Sequence, residues 1–238
     1  MSAFPDIKGK ITRWDVLVIG HLRWNRYFGE SADSPPRGSP STCSSTLVTG
    51  KMPDGSVYRL IVDPTIRRSD GEYYFDLNRR TGLAPEDITH CFTTHHHFDH
   101  WNGLKYFPGA AWLTGEGNKA LIAQASEQAA REGTEPGDGL APNIDASRLQ
   151  EVEGEFLPGV FAVPLPGHTP DIFGVAFRGA GKRVIHASDS VMTAYHFEDG
   201  ITEFQTDPGL IAKAAASIEM MKNCYDIVIP GHDSMIVL

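Results

Sequence analysis

Short apolar runs, rich in β-branched and aromatic residues, recur along the chain between polar or glycine-containing segments. In the first half of the chain, this pattern predicts strands at residues 15–19, 46–49, 57–62 and 88–94. The dipeptide Asp54-Gly55 lies between the second and third of these runs. Because such a dipeptide suits a two-residue turn, it is a strong signal for a β-hairpin.

Apolar residues at helical spacing alternate with the strands. They predict helices over residues 116–131 and 208–224. Asp207 is a candidate N-cap of the second helix, and Pro208 lies in its first turn. The apolar residues that share one stripe of this helix are Leu210, Ile211, Ala214, Ile218 and Met221. Residues 132–143 are rich in glycine and proline and are interpreted as a loop, so the whole pattern indicates the α/β class.

The composition is typical of one globular domain. The chain has 238 residues, 41% hydrophobic and 21% charged, which is enough to bury a substantial core, and we interpret residues 1–238 as one domain. No window approaches the roughly 18 consecutive apolar residues that cross a bilayer, and residues 1–20 lack a secretory signal pattern. We therefore expect a cytoplasmic protein with no membrane partner. Cys43, Cys91 and Cys224 are too widely spaced for a disulfide framework and are expected to be buried free thiols.

Acidic side chains outnumber basic ones. The 30 Asp and Glu residues against 21 Lys and Arg residues give a formal charge of -9, which disfavours a nucleic-acid partner because nucleic-acid surfaces bind phosphates through Lys and Arg. The basic residues form two local groups. Arg23, Arg26 and Arg37 lie in a loop rich in Pro, Gly and Ser between Gly20 and Thr42, and Arg67-Arg68 and Arg79-Arg80 flank the next loop. We interpret them as solvated surface residues. A phosphate clamp built from Arg23, Arg26 and Arg67 stays open as the alternative.

The strongest chemical signal is the segment Thr94-His95-His96-His97-Phe98-Asp99-His100, in the loop directly after a predicted strand. If His95 and His97 are roughly extended, their imidazoles point to the same side of the chain and can bind one ion. Asp99 and His100 can then bind a second ion. Neutral imidazole and carboxylate groups suit zinc and also iron or manganese, so the segment predicts a metal site without selecting the metal. A purification tag does not explain the cluster, because the cluster is internal and interrupted.

Three further candidate ligands each follow an apolar segment. His168 follows residues 160–167, Asp189 follows residues 183–188, and His232 follows residues 225–231. Taken singly, the histidines are more often surface or core residues, and Asp189 could cap a helix or occupy a turn. The repeated order of strand, loop and ligand instead indicates that all of them share one site.

The spaced motifs His95-x-His97-x-Asp99-His100, Pro166-Gly167-His168-Thr169-Pro170, Asp189 and Pro230-Gly231-His232 resemble those of the metallo-β-lactamase-fold metallo-hydrolase superfamily. The resemblance extends from about Val57 to His232 and implies a four-layer αββα sandwich. It implies that the first metal ion is held by His95, His97 and His168, the second by Asp99, His100 and His232, and that Asp189 bridges them. Asp63, after an early strand, is interpreted as a supporting residue.

The same resemblance implies a mechanism. A hydroxide bridged by two divalent ions, with Zn²⁺ the first choice and Fe or Mn the alternatives, would attack the substrate. Asp99 would be the catalytic residue that orients this hydroxide or transfers a proton, in addition to binding metal.

Departures from particular branches of the superfamily narrow the function. Branches that reduce oxygen at a di-iron centre carry Glu where this chain has His97, and true metallo-β-lactamases usually lack the bridging carboxylate matched by Asp189. The expected enzyme is a binuclear hydrolase acting on a small carboxylic ester, lactone or thioester. The alternatives are a phosphodiesterase or nuclease of the same fold and a mononuclear iron dioxygenase acting on persulfides.

Two aromatic segments are candidates for contact with a small-molecule substrate. Trp24, Tyr27 and Phe28 in the early loop could form an apolar wall. Tyr195 and His196 follow Asp189 closely enough to reach the mouth of the site and assist the leaving group. Simple packing of that loop is equally compatible with the sequence, because a tyrosine or histidine often needs only one solvated end.

Overall fold

The computed structural model describes residues 4–5, 10–22, 42–65, 70–132, 144–200 and 208–238, and within them the strands form two sheets of six strands each. In spatial order, the first sheet contains β1 (Ile11–Val18), β2 (Ser45–Lys51), β3 (Val57–Val62), β4 (His90–Thr93), β5 (Ala111–Gly115) and β6 (Leu149–Val152). The second sheet, in the reverse of its spatial order, contains β7 (Gly154–Leu157), β8 (Val160–Pro164), β9 (Phe173–Gly179), β10 (Lys182–Ser188), β11 (Ile227–Pro230) and β12 (Ile236–Val237).

The direction of strand pairing changes within each sheet. In the first sheet β1, β2 and β3 are antiparallel, whereas β3 to β6 are parallel. In the second sheet the β10 and β11 pair is parallel and the other neighbours are antiparallel. Because parallel strands end at the same edge, the carboxyl end of β3 lies beside that of β4, and the carboxyl end of β10 beside that of β11. The predicted hairpin is confirmed between β2 and β3, with Gly55 at φ +87°, a conformation that favours glycine.

Helices cover the outer faces of the sheets. The α-helices of the described residues are α1 (Asp70–Thr81), α2 (Phe98–Trp101), α3 (Asn118–Glu132), α4 (Ala194–Asp199) and α5 (Pro208–Cys224). Short 3-10 helices occupy Pro85–Asp87, Asn102–Tyr106, Ala146–Arg148 and Asp189–Val191. Helix α5 has the predicted bounds, and α3 begins two residues later than predicted.

Three apolar clusters separate four layers. The central cluster joins the facing sides of the two sheets, with Val48 and Phe92 from the first and Val175 from the second. The opposite face of the first sheet packs on α1 and α3, and the opposite face of the second sheet packs on α4 and α5. Adjacent strand residues alternate between clusters, as Leu47 and Val48 do, because successive side chains point to opposite faces. The predicted four-layer αββα sandwich is confirmed.

Two predictions about local structure are wrong. The first strand is β1, at Ile11–Val18 rather than residues 15–19, because pairing with β2 extends it through half-exposed positions that carry no apolar signal. The segment interpreted as a loop between the arginine pairs contains α1, whose Tyr73 and Leu77 are buried one turn apart. Arg79 and Arg80 lie in its last turn, where positive charge stabilises a helix.

Several predictions fall on residues outside the described ranges. They concern residues 133–143 of the loop predicted at 132–143, the N-cap Asp207, and the arginines Arg23, Arg26, Arg37, Arg67 and Arg68.

Two further predictions concern the burial of the cysteines and the absence of a membrane-spanning segment. Cys43 and Cys91 are buried free thiols, as predicted, whereas Cys224 is only half-buried. No helix in the described ranges combines the length and the apolar character needed to cross a membrane.

Candidate metal centre

The candidate ligands lie where strands end. His95 and His97 follow β4, and Asp189 follows β10. His232 follows β11, which runs parallel to β10, and His168 follows β8. Loops at strand ends carry functional residues on a rigid scaffold. Asp99 and His100 differ slightly from the prediction, because they lie in the short helix α2 rather than in an irregular loop.

The structure brings four of the predicted ligands into one group. The potential ligand atoms of His95, His97, His168 and Asp189 all lie within 4.8 Å of one another. His97 Nδ1 is 2.8 Å from His168 Nε2, and Asp189 Oδ2 is 3.4 Å from the same His168 nitrogen. This group is an imidazole-rich site of the size that one metal ion needs.

The remaining predicted ligands form a second group beside the first. Potential ligand atoms of Asp99, His100 and His232 lie within 4.8 Å of one another. The Asp99 carboxylate is 3.7 Å from His100 Nε2 and 3.6 Å from His232 Nε2. All seven residues singled out by the sequence therefore meet at one end of the sandwich.

Asp189 lies between the two groups, and its two carboxylate oxygens face different sides. Oδ2 faces His168 Nε2 at 3.4 Å and His95 Nε2 at 3.9 Å. Oδ1 faces His232 Nε2 at 3.2 Å and His100 Nε2 at 3.3 Å. A carboxylate in this position can hold one cation with each oxygen.

A glycine lets the loop of His232 approach this carboxylate. A Cβ atom on Gly231 would collide with Asp189 Oδ1, so a larger residue would push the two loops apart. The Gly231 backbone N–H also donates to the Ser188 carbonyl at 2.9 Å. The glycine of the Pro230-Gly231-His232 motif is therefore needed for the close packing around Asp189.

The donor set fits divalent metal ions. His95 Nε2, His100 Nε2 and Asp189 Oδ1 are completely buried, and none has a hydrogen-bond partner. Buried polar atoms are rarely left without a partner, because losing water costs free energy. These three atoms lie among the clustered ligand atoms, where a cation would satisfy them. The set contains only imidazole and carboxylate groups, which suits zinc and also iron or manganese.

Burial keeps the histidines of the first group neutral. It lowers the pKa of His95 well below the usual value and that of His97 to about 3, and it also lowers the pKa of His168. Removal from water disfavours the charged imidazolium, and the neighbouring histidines add to this effect for His95 and His97. Neutral imidazoles at neutral pH offer the lone pairs that a metal ion requires.

In the second group, the pKa values of the histidines are raised rather than lowered. Burial also opposes charge on His232, but the Asp189 and Asp99 carboxylates outweigh it and raise the pKa of His232. For His100, burial is outweighed by the carboxylates of Asp189, Asp99 and Asp63, which raise its pKa well above the usual value. Burial likewise disfavours charge on Asp189, yet His232 and His100 hold its pKa well below the ordinary range. The Asp99 and Asp189 carboxylates thus favour positive charge between them, which a bound cation would supply in place of protons on the imidazoles.

The far nitrogens of three candidate ligands are held by protein groups. His100 Nδ1 is 2.9 Å from Asp63 Oδ2, His232 Nδ1 is 3.0 Å from the Thr42 carbonyl, and His95 Nδ1 is 3.1 Å from Thr94 Oγ1. Such contacts fix the ring so that Nε2 points to the metal. The supporting role predicted for Asp63 agrees with this geometry. The similar supporting roles of Thr42 and Thr94 could not be identified from the sequence.

A third group of potential ligand atoms joins Cys43, Asp63 and His100, all buried. Each atom already has a partner, because Cys43 Sγ donates to the Asp99 carbonyl at 3.1 Å and Asp63 accepts from His100. Burial raises the pKa of the Cys43 thiol to about 12, so it stays protonated. These contacts hold helix α2, which carries Asp99, and do not form a separate metal site.

The predicted substrate contacts have different outcomes. Trp24, Tyr27 and Phe28 lie outside the described residues. Tyr195 and His196 lie in α4, with Tyr195 half-buried and His196 buried. Asp233, the residue after His232, accepts a hydrogen bond from the Ala194 backbone N–H at 3.1 Å. Helix α4 is therefore attached to the loop of a candidate ligand.

Comparison of the sequence with known families gives one clear match. Residues 38–232 match the model of the metallo-beta-lactamase superfamily. An N-acyl homoserine lactonase from Bacillus sp. is 28% identical over 162 residues, and the lactonase AiiA from Bacillus thuringiensis subsp. kurstaki is 27% identical over 161 residues. Each alignment covers 65% of this chain, and the chain spans only 60% of the length of these relatives.

Comparison with solved structures identifies the same fold. A metallo-beta-lactamase-type protein from Thermotoga maritima has a TM-score of 0.66 at 18% identity, over 94% of this chain and 98% of its own. A quorum-quenching N-acyl homoserine lactone lactonase has a TM-score of 0.63 at 20% identity, over 96% of this chain and 94% of its own. At these identities the likeness establishes the fold alone.

Proposed function

This chain belongs to the metallo-beta-lactamase superfamily, and we propose that it is a binuclear metal-dependent hydrolase of small carboxylic esters or lactones. The observation that carries the proposal is the position of Asp189, whose two oxygens face two separate groups of ligand atoms. One ion would be held by His95, His97 and His168. The second would be held by Asp99, His100 and His232, with Asp189 between them.

The chemistry divides between the ions and the side chains. Two bound dications, with zinc the first choice, would supply a water that ionises near neutral pH and a Lewis acid for the scissile carbonyl. The surrounding histidines stay neutral in the first group and so keep their lone pairs directed inward. Asp99, whose side chain is one-fifth exposed, is placed between the buried ligands and solvent. From there it can orient the attacking water and transfer its proton towards the leaving group.

The choice of a lactone or ester rests on the relatives and on charge. The lactonases from Bacillus align over 65% of this chain. The formal charge of -9 makes a polyanionic substrate unfavourable, because electrostatic repulsion would slow its approach. Tyr195 stays a candidate substrate contact, because its helix is hydrogen-bonded to the residue that follows His232.

Two other functions are separable from this one. A phosphodiesterase would need the arginine clamp of Arg23, Arg26 and Arg67, which lies outside the described residues. A mononuclear iron dioxygenase acting on persulfides would need one ion and would consume oxygen. The second group of ligand atoms favours the binuclear hydrolase over this dioxygenase.

The proposal is tested with a substrate panel at fixed zinc content. The panel contains acyl homoserine lactones, aryl esters, thioesters, a chromogenic β-lactam, a bis-aryl phosphodiester and single-stranded RNA. We expect lactones or carboxylic esters to give the highest kcat/KM, and the Asp189→Asn variant serves as the background for each substrate. The ester assignment is wrong if phosphodiester or RNA cleavage leads the panel, falls with added salt, and is lost when Arg23 and Arg26 are replaced by Ala.

A further inference from the structure

We propose that His186 and Thr46 are positioning residues for the metal centre, acting through the carboxylate of Asp63. The inference rests on the proposed binuclear function and adds two residues that bind neither metal nor substrate. All three residues are completely buried, and they come from different sheets, with Thr46 on β2, Asp63 after β3 and His186 on β10.

The contacts between these residues form a directed chain. His186 Nε2 is 3.3 Å from Asp63 Oδ2, and His186 Nδ1 is 2.9 Å from Thr46 Oγ1. An ionised carboxylate only accepts hydrogen bonds, so His186 Nε2 must carry the proton that is donated to Asp63. In the neutral ring Nδ1 is then an acceptor, and Thr46 supplies the donor. The Thr46 hydroxyl thereby selects the tautomer of His186 that can hold Asp63.

Asp63 reaches both groups of candidate metal ligands. Its Oδ2 contacts His100 Nδ1 directly at 2.9 Å, and His100 belongs to the second group. The same oxygen accepts from Thr94 Oγ1 at 2.9 Å, and Thr94 Oγ1 lies 3.1 Å from Nδ1 of His95 in the first group. A shift of this one carboxylate would therefore change the direction of an imidazole in each group.

Asp63 also restrains the backbone next to the bridging carboxylate. Ser188 Oγ donates to Asp63 Oδ2 at 2.8 Å, and Ser188 directly precedes Asp189. Ser188 has φ +52° and ψ -143°, and Asp63 has φ +48°. Non-glycine residues rarely adopt positive φ, and such strain persists only where surrounding contacts hold it. The contacts to Asp63 thus hold the strained turn that aims Asp189 between the two groups.

The two sheets are joined by this network. His186 and Ser188 come from β10 of the second sheet, whereas Thr46, Asp63 and Thr94 come from the first. The ligands are divided in the same way, because His95 and His100 follow strands of the first sheet and Asp189 follows β10. Holding Asp63 from the second sheet therefore fixes the distance between ligands that are far apart in sequence.

The test compares zinc retention in folded variants against a chromophoric chelator at constant pH. His186→Leu removes the donor to Asp63, and His186→Gln retains an N–H donor at a similar reach. Thr46→Val removes only the hydroxyl that sets the His186 tautomer. Thr114→Val is the matched control, because Thr114 is also a fully buried strand threonine, and its hydroxyl donates to the Thr93 carbonyl at 2.9 Å.

We expect wild-type protein and Thr114→Val to hold two zinc ions with the same affinity. In His186→Leu the affinity should fall by about tenfold, the size of effect found when a group supporting a ligand is lost. Thr46→Val should weaken binding in the same direction, and His186→Gln should restore most of the affinity. Circular dichroism and the unfolding midpoint identify variants that lose structure rather than metal.

Each result has a separate meaning. Wild-type zinc affinity in folded His186→Leu would overturn the positioning role and leave the proposed function intact. If His186→Leu does not fold, equal affinities of Thr46→Val and Thr114→Val would overturn it instead. Wild-type protein that binds fewer than two ions would contradict the proposed function itself.

Discussion

Replacing Asp189 by Asn should lower both metal content and hydrolysis by orders of magnitude. Asp189 is 3% exposed and has four imidazole nitrogens within 4 Å of its oxygens. Asn keeps the shape of the side chain but removes the charge that would face two cations. Losing one partner of a buried ion pair costs about 3–5 kcal/mol. At about 1.4 kcal/mol per factor of ten, metal affinity should fall by roughly two to four orders of magnitude.

A matched Asp→Asn variant controls for the loss of charge alone. Asp226 pairs with Arg183 at 2.7 Å, at the opposite end of β10 from Asp189. Asp226→Asn should therefore leave metal content and kcat unchanged. Elemental analysis and initial rates on the same samples measure both effects. Unchanged metal content and rate in Asp189→Asn would mean that another residue bridges the ions.

Removing the metal should abolish hydrolysis, down to the background rate of the buffer. The proposed mechanism uses no nucleophilic side chain, because the attacking group is a water that only a bound cation can ionise near neutral pH. Stripping the ions would also leave His95 Nε2, His100 Nε2 and Asp189 Oδ1 buried without partners. We therefore expect a lower unfolding temperature for the stripped protein, together with recovery of activity on addition of zinc.

The control for this experiment is the chelator already saturated with zinc, which should leave the rate unchanged. Activity should return fully only after about two equivalents of zinc per chain. A protein that is free of metal by elemental analysis and still hydrolyses its substrate at the original rate would exclude the metal mechanism.

Much of this site could be predicted from the sequence, because its ligands are chemically unusual and follow apolar strands. His95, His97, Asp99 and His100 are close in the chain, so their proximity needs only local geometry. The order of the motifs indicated that His168, Asp189 and His232 belong to the same site, and the structure brings all seven residues together. Helix α5 was equally predictable, since its apolar stripe and Pro208 are local signals.

The supporting network could not be predicted, because it depends on how the two sheets face each other. His186 and Thr46 read as ordinary residues of two strands that lie 140 positions apart. Only the packing of β2 against β10 brings them to Asp63. Helix α1 was missed for a related reason, since Tyr73 and Leu77 show their role only when they pack beneath the first sheet. The nearby arginine pairs instead suggested a solvated loop.

Local sequence signals are weakest for the residues that contact the substrate. Trp24, Tyr27 and Phe28 lie outside the described residues, and Tyr195 and His196 depend on the attachment of α4 to the loop of His232. The short motifs do not determine how these candidate segments are arranged.

The most direct test of the binuclear assignment is the metal content of the purified protein, measured by elemental analysis after minimal exposure to chelator. Because two groups of ligand atoms share Asp189, we expect about two divalent ions per chain. A reproducible value near one, in a protein whose His232→Ala variant keeps its metal and its rate, would contradict the binuclear centre.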